Sequence, residues 1–472
     1  MPNATAPNVL LLVADQLRYD CLGSSERFPV KTPHLDRLAR EGARFTNAFT
    51  PSPVCAPARQ ALLTGRCADS FGALWNYDFI PTKTPSPCER YWTSQLQVQG
   101  YRTAFVGKWH SSLEAGALAF GFDEYIGFDT YQKERIAGRY ENISYTGGWF
   151  GEANPIPLQD AKDSWAADTV SRLIQTYSRE NRPWHIRMDI TDPHLPCRPS
   201  EPFASMYSPE EIAPWDSFGD RFEDKPYIQR QQIVNWGLEG LDWKDWQPCV
   251  ARYYGMVSQV DYNIGRILDA LDRSGGRDNT LVIFTSDHGD LCGGHGMLDK
   301  HYVLYDDVTH VPLIVRYPGR ISAGTVVDDF VSNCLDIPPT VEAYCQLDTS
   351  RLGVRHGRSL LPLLEDMPDG SSAFADRNFS VSAGNGQQFG LYTQRSIRTH
   401  QSKYIWNATD IDEFYDLICD PGEKHNLIRS PQRQEEIAAL RRTLYQELKR
   451  RDDPFAKTGW LDKTFLEGKK LL

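Results

Sequence analysis

Short apolar runs alternate with longer amphipathic segments over most of the chain. Two of these runs, 9–14 and 281–285, are almost continuously apolar, which is typical of strands buried on both faces of a sheet. Further strands are predicted over 103–106, 184–190 and 311–315.

Helical patterns lie between these predicted strands. Residues 32–42 predict a helix that Thr32 caps, in which Pro33 takes the first position and which Gly42 ends. Residues 253–271 also have helical periodicity. Strands that alternate with helices predict an α/β fold, with a large mixed, mostly parallel sheet sandwiched by helices.

The pattern changes after a polar stretch between Glu365 and Asp376, where we expect a linker. Short candidate strands follow near 379–381, 390–392, 396–398 and 403–405, and a long polar helix covers about 431–451. The sequence therefore predicts two units: a main domain over 1–365, and a smaller C-terminal α+β subdomain over 376–472 that consists of an antiparallel sheet and a helix.

Composition and charge narrow the classes of function. Of the 472 residues, 40% are hydrophobic and 24% charged, which is ordinary for a globular protein. The formal net charge of -11 disfavours a nucleic-acid-binding surface, although a local cluster of cations can still hold an anion. No apolar run is long enough to cross a membrane. No signal peptide is visible, so we expect a cytoplasmic protein, with a processed secreted form as the alternative.

The ten cysteines are scattered, without the spacing of a disulfide framework, so reduced thiols are expected.

Polar residues directly follow four of the predicted strands. In an open parallel sheet ligands bind beyond the carboxyl ends of the strands, so these residues are expected to meet. A single carboxylate at such a place is more often a turn or cap residue, but four such ends together indicate one site. The first end carries Asp15 and Gln16, and the second carries Lys108 and His110. The third carries His194, and the fourth carries Asp287 and His288.

Two groups of these residues suggest a chemical role. The best metal-binding set consists of Asp15, Gln16, Asp287 and His288. Its oxygen ligands suit Ca²⁺ or Mg²⁺, while an imidazole also tolerates Mn²⁺ or Zn²⁺; a histidine alone would equally be a cap or core residue. Positive charge and proton transfer come from Lys108, His110, His194 and Lys300. Such a group can hold an oxyanion and protonate a leaving oxygen, although each lysine alone would be a surface charge.

Cys55 lies two residues before Pro57, which suits the first turn of a helix. The thiol is therefore expected at the positively polarised start of that helix, where its pKa falls and an anion is favoured. On this ground alone, a buried structural cysteine remains the simpler interpretation.

The pattern Cys-x-Pro-x-Arg followed by Leu-Leu-Thr-Gly, which begins at Cys55, closely resembles the maturation signature of type I sulfatases of the alkaline-phosphatase-like superfamily. Other segments are similar to the same family, in the same order along most of the chain. They are 8–15, 32–39, 107–110, 193–196, 286–289 and Lys300, followed in the C-terminal part by 413–417, 420–423 and 426–427.

This resemblance implies that a formylglycine-generating enzyme oxidises Cys55 to formylglycine. The modified side chain would contact a Ca²⁺ ion bound by Asp15, Gln16, Asp287 and His288. Gln16 and His288 stand where the family often has Asp and Asn, so Mn²⁺ is the alternative ion, and Ala58 stands where Ser is frequent. The resemblance implies that Arg59 and Lys108 hold the nucleophile. It also implies that His110, His194 and Lys300 transfer protons.

We therefore predict a sulfuric ester hydrolase that acts on a sulfated carbohydrate, as a small molecule or an oligosaccharide. Residues 299–313 resemble those of uronate 2-O-sulfatases, and the aromatic residues Trp75, Tyr77, Trp149 and Phe150 would either stack on sugar rings or pack internally. The alternatives are a phosphonate or phosphate monoester hydrolase of the same superfamily, a zinc-dependent phosphatase and, if Cys55 is unmodified, a non-catalytic binder of sulfated ligands. The oligomeric state stays open.

Overall fold

The computed structural model describes residues 6–78, 81–365, 374–387, 389–457 and 459–469. The strands, in chain order, are β1 (Asn8–Asp15), β2 (Ala43–Phe45), β3 (Ala48–Phe49), β4 (Arg102–Gly107), β5 (Glu124–Ile126), β6 (Trp184–Pro193), β7 (Thr280–Ser286), β8 (Leu313–Arg316), β9 (Thr325–Val327), β10 (Val331–Ser332), β11 (Ser380–Gln387), β12 (Gly390–Arg398), β13 (Ser402–Asn407) and β14 (Glu413–Asp416). The α-helices are α1 (Pro33–Arg40), α2 (Cys55–Thr64), α3 (Trp92–Val98), α4 (Phe128–Tyr131), α5 (Lys162–Tyr177), α6 (Tyr227–Trp236), α7 (Trp243–Arg273), α8 (Asp306–Thr309), α9 (Asn333–Tyr344), α10 (Leu361–Leu364), α11 (Gln434–Arg450) and α12 (Gly459–Glu467).

The main sheet has eight strands in the order β5-β4-β6-β1-β7-β8-β2-β9. The five strands from β5 to β7 are mutually parallel, whereas β8 runs antiparallel to both of its neighbours. The predicted mixed, mostly parallel sheet is therefore confirmed. Each of the five predicted strand segments overlaps a strand of this sheet, and the segment 311–315 corresponds to the antiparallel β8.

Helices cover both faces of this sheet, as the side chains of β1 show. Leu10 and Leu12 point into one hydrophobic core, which α1, α5 and α7 close. Val9 and Leu11 point into the other, which α2 and α9 close. Successive residues of a strand face opposite sides, so a central strand covered on both sides has to be apolar at every position.

Helix α1 is capped differently from the prediction. Thr32 occupies the N-cap position, but its side chain makes no capping hydrogen bond. Instead, the carboxylate of Asp261 on α7 accepts hydrogen bonds from the backbone N–H groups of His34 and Leu35, at 3.2 and 2.7 Å. The local sequence gives no sign of this acceptor because it comes from a distant helix. The helix itself ends at Arg40, before the predicted Gly42.

The C-terminal sheet has the order β11-β12-β13-β14 and is antiparallel throughout. Its hydrophobic core includes residues of α11, so the predicted small sheet with a terminal helix is confirmed. The segments 390–392 and 396–398, predicted as separate strands, belong to the single strand β12. The boundaries 1–365 and 376–472 stay a prediction, and positions 366–373 of the predicted linker lie outside the described residues.

Within the described part of the chain, no helix combines the length and the apolar character needed to span a membrane.

Candidate active site

The carboxyl ends of four parallel strands bring the predicted residues together. Asp15 is the last residue of β1, Lys108 follows β4, His194 follows β6 and Asp287 follows β7. Cys55 is the first residue of α2, and its Sγ lies 3.6 Å from Oδ1 of Asp15. The predicted helix start and the predicted strand ends therefore face one another.

Four potential ligand side chains surround one point at this edge of the sheet. They are Asp15, Cys55, Asp287 and His288, whose candidate ligand atoms are buried and lie within 4.8 Å of one another. The second ring nitrogen of His288, Nδ1, lies 2.8 Å from the carbonyl oxygen of Gly289 and donates to it, which leaves Nε2 directed at the cluster. An imidazole held in this way is typical of metal-binding histidines. The set fits a divalent cation.

The charges in this cluster also favour a cation. Burial and the negative charge of Asp15 raise the pKa of Asp287. Burial acts on Asp15 in the same direction, but the positive charges of Lys108 and Arg59 hold its pKa below the usual range. A divalent ion would offset the repulsion between these two buried carboxylates.

Gln16, the remaining predicted metal ligand, is hydrogen-bonded to Lys300 and Asp287. Its Oε1 accepts a hydrogen bond from Nζ of Lys300 at 2.8 Å, and its backbone N–H donates to Asp287 at 3.1 Å. Its backbone is left-handed, with φ of 71°, a conformation that is uncommon outside glycine and persists where surrounding contacts hold it. Metal ligation by Gln16 stays a prediction, and it would require the ion to share Oε1 with Lys300.

Arg59 connects three strands of the sheet. Its fully buried guanidinium lies 2.5 Å from Asp189 on β6, 3.1 Å from Asp15 on β1 and 2.9 Å from Asp287 after β7. Burial lowers the pKa of Arg59, but the three carboxylates raise it by more, so the group stays cationic. Sequence reasoning did not single out Asp189; the available signal was the charged pair Arg187 and Asp189 inside a strand that is otherwise largely apolar.

The predicted cationic residues lie around Cys55. Nζ of Lys108 is 2.6 Å from Asp15, and Nζ of Lys300 is 2.7 Å from Nε2 of His194. His194 Nδ1 lies 2.7 Å from the carbonyl oxygen of Leu195. A carbonyl oxygen only accepts, so Nδ1 carries the proton and Nε2 accepts the hydrogen bond from Lys300.

His110 occupies another wall of the site. Its Nε2 lies 2.6 Å from a carboxylate oxygen of Asp78, and this contact lowers the pKa of Asp78. The sequence gave no reason to select Asp78.

The pKa of the Cys55 thiol depends on the charged groups around it. Burial raises the pKa of Cys55, but the charges of Lys108, Lys300 and His288 bring it well below its usual range. The position therefore favours an anion.

A cavity of about 610 Å³ opens onto Cys55. Its walls include the predicted Lys108, His110, His194 and Lys300, and also His301, Trp236 and Gln387, which were not predicted. Gln387 belongs to β11 of the C-terminal sheet.

Two of the four aromatic residues considered for sugar contact line this cavity, namely Tyr77 and Trp149. Trp149 is 55% exposed and meets Trp236 edge to face, with ring centroids 5.4 Å apart. Trp75 is buried, and Phe150 packs against Trp246 at 4.9 Å. The cavity thus has aromatic surface available near its opening.

Comparisons with known proteins give a consistent result. The Sulfatase family model matches residues 7–345, and a model of the C-terminal part of N-sulphoglucosamine sulphohydrolase matches residues 293–450. An arylsulfatase of Clostridium perfringens is 28% identical, over 95% of this chain and 96% of that protein.

Two solved structures have a similar fold. A protein in complex with its substrate D-glucosamine-2-N,6-O-disulfate has a TM-score of 0.75 at 22% identity, covering 95% of this chain and 99% of the other. A phosphonate monoester hydrolase from Silicibacter pomeroyi has a TM-score of 0.80 at 21% identity, covering 95% and 96%.

Proposed function

Because the chain belongs to the sulfatase family and is a sulfatase, we propose that it releases sulfate from a sulfated carbohydrate, with formylglycine at position 55 and one divalent cation. One observation carries this proposal: Cys55 begins a buried helix, and its Sγ lies 3.6 Å from Asp15 and 3.2 Å from His288. A modifiable residue is thus in contact with the candidate metal ligands.

The surroundings of Cys55 fit the modification. The residue is almost fully buried, and it begins the helix that also carries Pro57 and the buried Arg59 of the signature. The hydrated formylglycine supplies a hydroxyl that attacks sulfur and a second hydroxyl through which sulfate is later expelled. Because Cys55 and Arg59 are buried in the fold, the formylglycine-generating enzyme has to act before the chain folds.

The proposed ion is Ca²⁺, with Mn²⁺ as the alternative. Asp15, Asp287 and His288 would hold it, together with residue 55 and Gln16. When bound, it would lower the pKa of the attacking hydroxyl and screen the charge of the sulfate. The carboxylates favour Ca²⁺, whereas the imidazole of His288 favours a transition metal such as Mn²⁺.

Two lysines hold the sulfate group in this proposal. Burial lowers the pKa of both, but Asp15 beside Lys108 and Asp299 beside Lys300 raise it by more, so both amines remain charged. Lys300 donates a hydrogen bond to Nε2 of His194, so the proton for the leaving oxygen comes from the Lys300 ammonium and passes through Nε2 of His194. His110, oriented by Asp78, takes the proton from the second hydroxyl when sulfate leaves.

The role of His194 as an acid can be tested with substrates whose leaving groups differ in their need for a proton. We expect His194→Ala to lower kcat/KM for sugar sulfates by about 10²–10⁴-fold, the usual contribution of a general acid. For p-nitrophenyl sulfate the loss should be much smaller, because nitrophenolate leaves without a proton. The partly exposed His34 on α1 provides the control variant His34→Ala, which should affect neither substrate. Equal losses on both substrates would remove the acid role of His194.

Removal of the metal should lower the thermal stability of the protein. A ligand present at 100 times its Kd stabilises the folded state by about 2.7 kcal/mol, so a chelator should lower the Tm and excess Ca²⁺ or Mn²⁺ should restore it. Calorimetry with each ion would show which of them stabilises more. Asp287→Asn should reduce the response, and an undiminished response in this variant would place the ion elsewhere.

The proposed function is tested with a panel of sulfated mono- and disaccharides, alongside p-nitrophenyl sulfate and a phosphonate monoester. We expect sulfate release from at least one sugar at a kcat/KM above that for the phosphonate. Faster hydrolysis of the phosphonate would favour the monoester hydrolase. Mass spectrometry of the peptide that contains Cys55, from the native host, should detect the aldehyde; an intact thiol together with tight binding of a sulfated sugar would favour the non-catalytic binder.

A further inference from the structure

Three aromatic side chains from distant parts of the chain meet in a group that begins in the wall of the active-site cavity. Trp149 belongs to the single helical turn Gly148–Phe150, Trp236 is the last residue of α6, and Phe389 lies between β11 and β12. The ring centroids of Trp149 and Trp236 are 5.4 Å apart, and those of Trp236 and Phe389 are 6.5 Å apart. We call these three residues the aromatic rim.

The aromatic rim is open to solvent. Trp149 is 55% exposed and Phe389 is 43% exposed. Both ring pairs are nearly perpendicular, with interplanar angles of 84° and 80°. In such a pair the edge of one ring covers a face of the other, so the ring that supplies the edge keeps its own faces free of that contact. Connected apolar surface of this kind is a mark of a ligand-binding groove.

The exposure of the cavity wall gives the direction in which a ligand lies. Cys55 at one end is only 1% exposed, whereas Trp149 is the most exposed of the aromatic residues that line the cavity. A sulfate group held beside Cys55 therefore occupies the buried end, and the part of the substrate farthest from the sulfate reaches Trp149.

The rest of the wall indicates the chemistry of that part. Asn76, Asp129 and Gln387 contribute hydrogen-bonding side chains to the same cavity. An alkyl or aryl group would remove such side chains from water without replacing their hydrogen bonds, which is unfavourable. A sugar suits both kinds of surface, because its hydroxyls pair with polar groups while the C–H face of its ring packs on an aromatic ring.

We propose that the aromatic rim binds a sugar unit attached to the sulfated one, by stacking of this unit on Trp149, and that the enzyme prefers sulfated oligosaccharides to sulfated monosaccharides. The proposal rests on the proposed function, because it specifies the substrate class of the same site. Trp236 and Phe389 continue the aromatic surface away from Trp149, so they are available to a further unit.

A series of substrates of increasing length tests this preference in the mature enzyme. The sulfated sugar that is hydrolysed fastest in the panel is compared as a monosaccharide with di- and trisaccharides that carry the same sulfated unit at either end. We expect kcat/KM to rise by about 10-fold from the monosaccharide to the longer substrates, the scale of one stacked ring, and mainly through a lower KM.

Variants then assign this length ratio to the aromatic rim. In Trp149→Ala the ratio should fall to near one, and Trp149→Phe, which keeps a ring, should retain part of it. A merely structural role of Trp149 would lower kcat/KM for all lengths alike and leave the ratio as it is. The matched control is Tyr262→Ala on α7, which removes an aromatic side chain that is 39% exposed and lies outside the cavity, and it should keep the wild-type ratio.

Several results would overturn the proposal. They are a wild-type ratio near one, an undiminished ratio in Trp149→Ala, or hydrolysis of p-nitrophenyl sulfate without hydrolysis of any sugar in the panel. A gain from methyl sulfate to hexyl sulfate that equals the sugar gain and disappears in Trp149→Ala would assign the rim to apolar groups. Sedimentation of the wild type as a dimer that Trp149→Ala converts to a monomer would assign it to a second copy of the chain. If the wild type hydrolyses no sulfate ester at all, the proposed function itself fails, and this inference fails with it.

Discussion

Replacement of Cys55 by alanine should reduce kcat/KM for every sulfate ester by about 10⁴-fold or more, the scale on which enzymes lose activity without their nucleophile. The reason is its position, since Sγ of Cys55 lies 3.6 Å from Asp15 and 3.2 Å from His288. Sulfate release measured by ion chromatography would show the loss. The folded structure should survive, because alanine is smaller and the helix start tolerates it.

Two variants sharpen this experiment. Cys67→Ala, just beyond the other end of the same helix, removes a buried thiol whose pKa is raised to about 11 by burial and should remain active. Cys55→Ser keeps one hydroxyl but cannot form a second one on the same carbon, so we expect at most a single turnover per molecule. Sustained turnover by Cys55→Ser at the wild-type rate would contradict the need for formylglycine.

Replacement of Arg59 by methionine should destabilise the protein and remove its activity. The guanidinium is the shared counter-ion of three buried carboxylates, from Asp15, Asp189 and Asp287. Removal of one partner from a buried ion pair costs about 3–5 kcal/mol, because the remaining charge is left uncompensated. The measurement is denaturant unfolding of the metal-free protein, where no ion can take over the compensation.

The exposed Arg182 supplies a matched control for this loss. It pairs with Glu180 at the surface, so Arg182→Met should change the free energy of unfolding by less than about 1 kcal/mol. Arg59→Lys should be intermediate, since one ammonium group cannot reach three carboxylates as a planar guanidinium does. If Arg59→Met unfolded like the wild type, its role as the shared counter-ion would be wrong.

Strand ends made the candidate site predictable to a large extent. The central parallel strands are buried on both faces, so β1 and β7 appear as apolar runs that stop at Asp15 and shortly before Asp287. The rule that ligands bind beyond such ends then placed these two residues together before any geometry was known. The helical start at Cys55 was equally visible, because Pro57 marks it.

Other parts depend on contacts that a sequence does not display. Asp189 and Asp78 act through partners elsewhere in the chain, Arg59 and His110, and the sequence does not show these contacts. The charged pair Arg187 and Asp189 within β6 was a local signal for Asp189, whereas Asp78 had none. The reversed direction of β8 follows from tertiary packing and not from its composition. The same holds for the cap of α1, which Asp261 supplies from another helix.

Gln387 of the small C-terminal sheet lines the cavity that opens onto Cys55. Its side-chain oxygen accepts a hydrogen bond from the backbone N–H of Asn76 at 3.4 Å, and the side chain of Asn76 accepts one from the backbone N–H of Ala56 at 2.8 Å. The C-terminal sheet is thereby joined to the residue that follows Cys55. Exchange of this sheet between homologous enzymes would consequently alter substrate preference while every group that performs the chemistry is left in place.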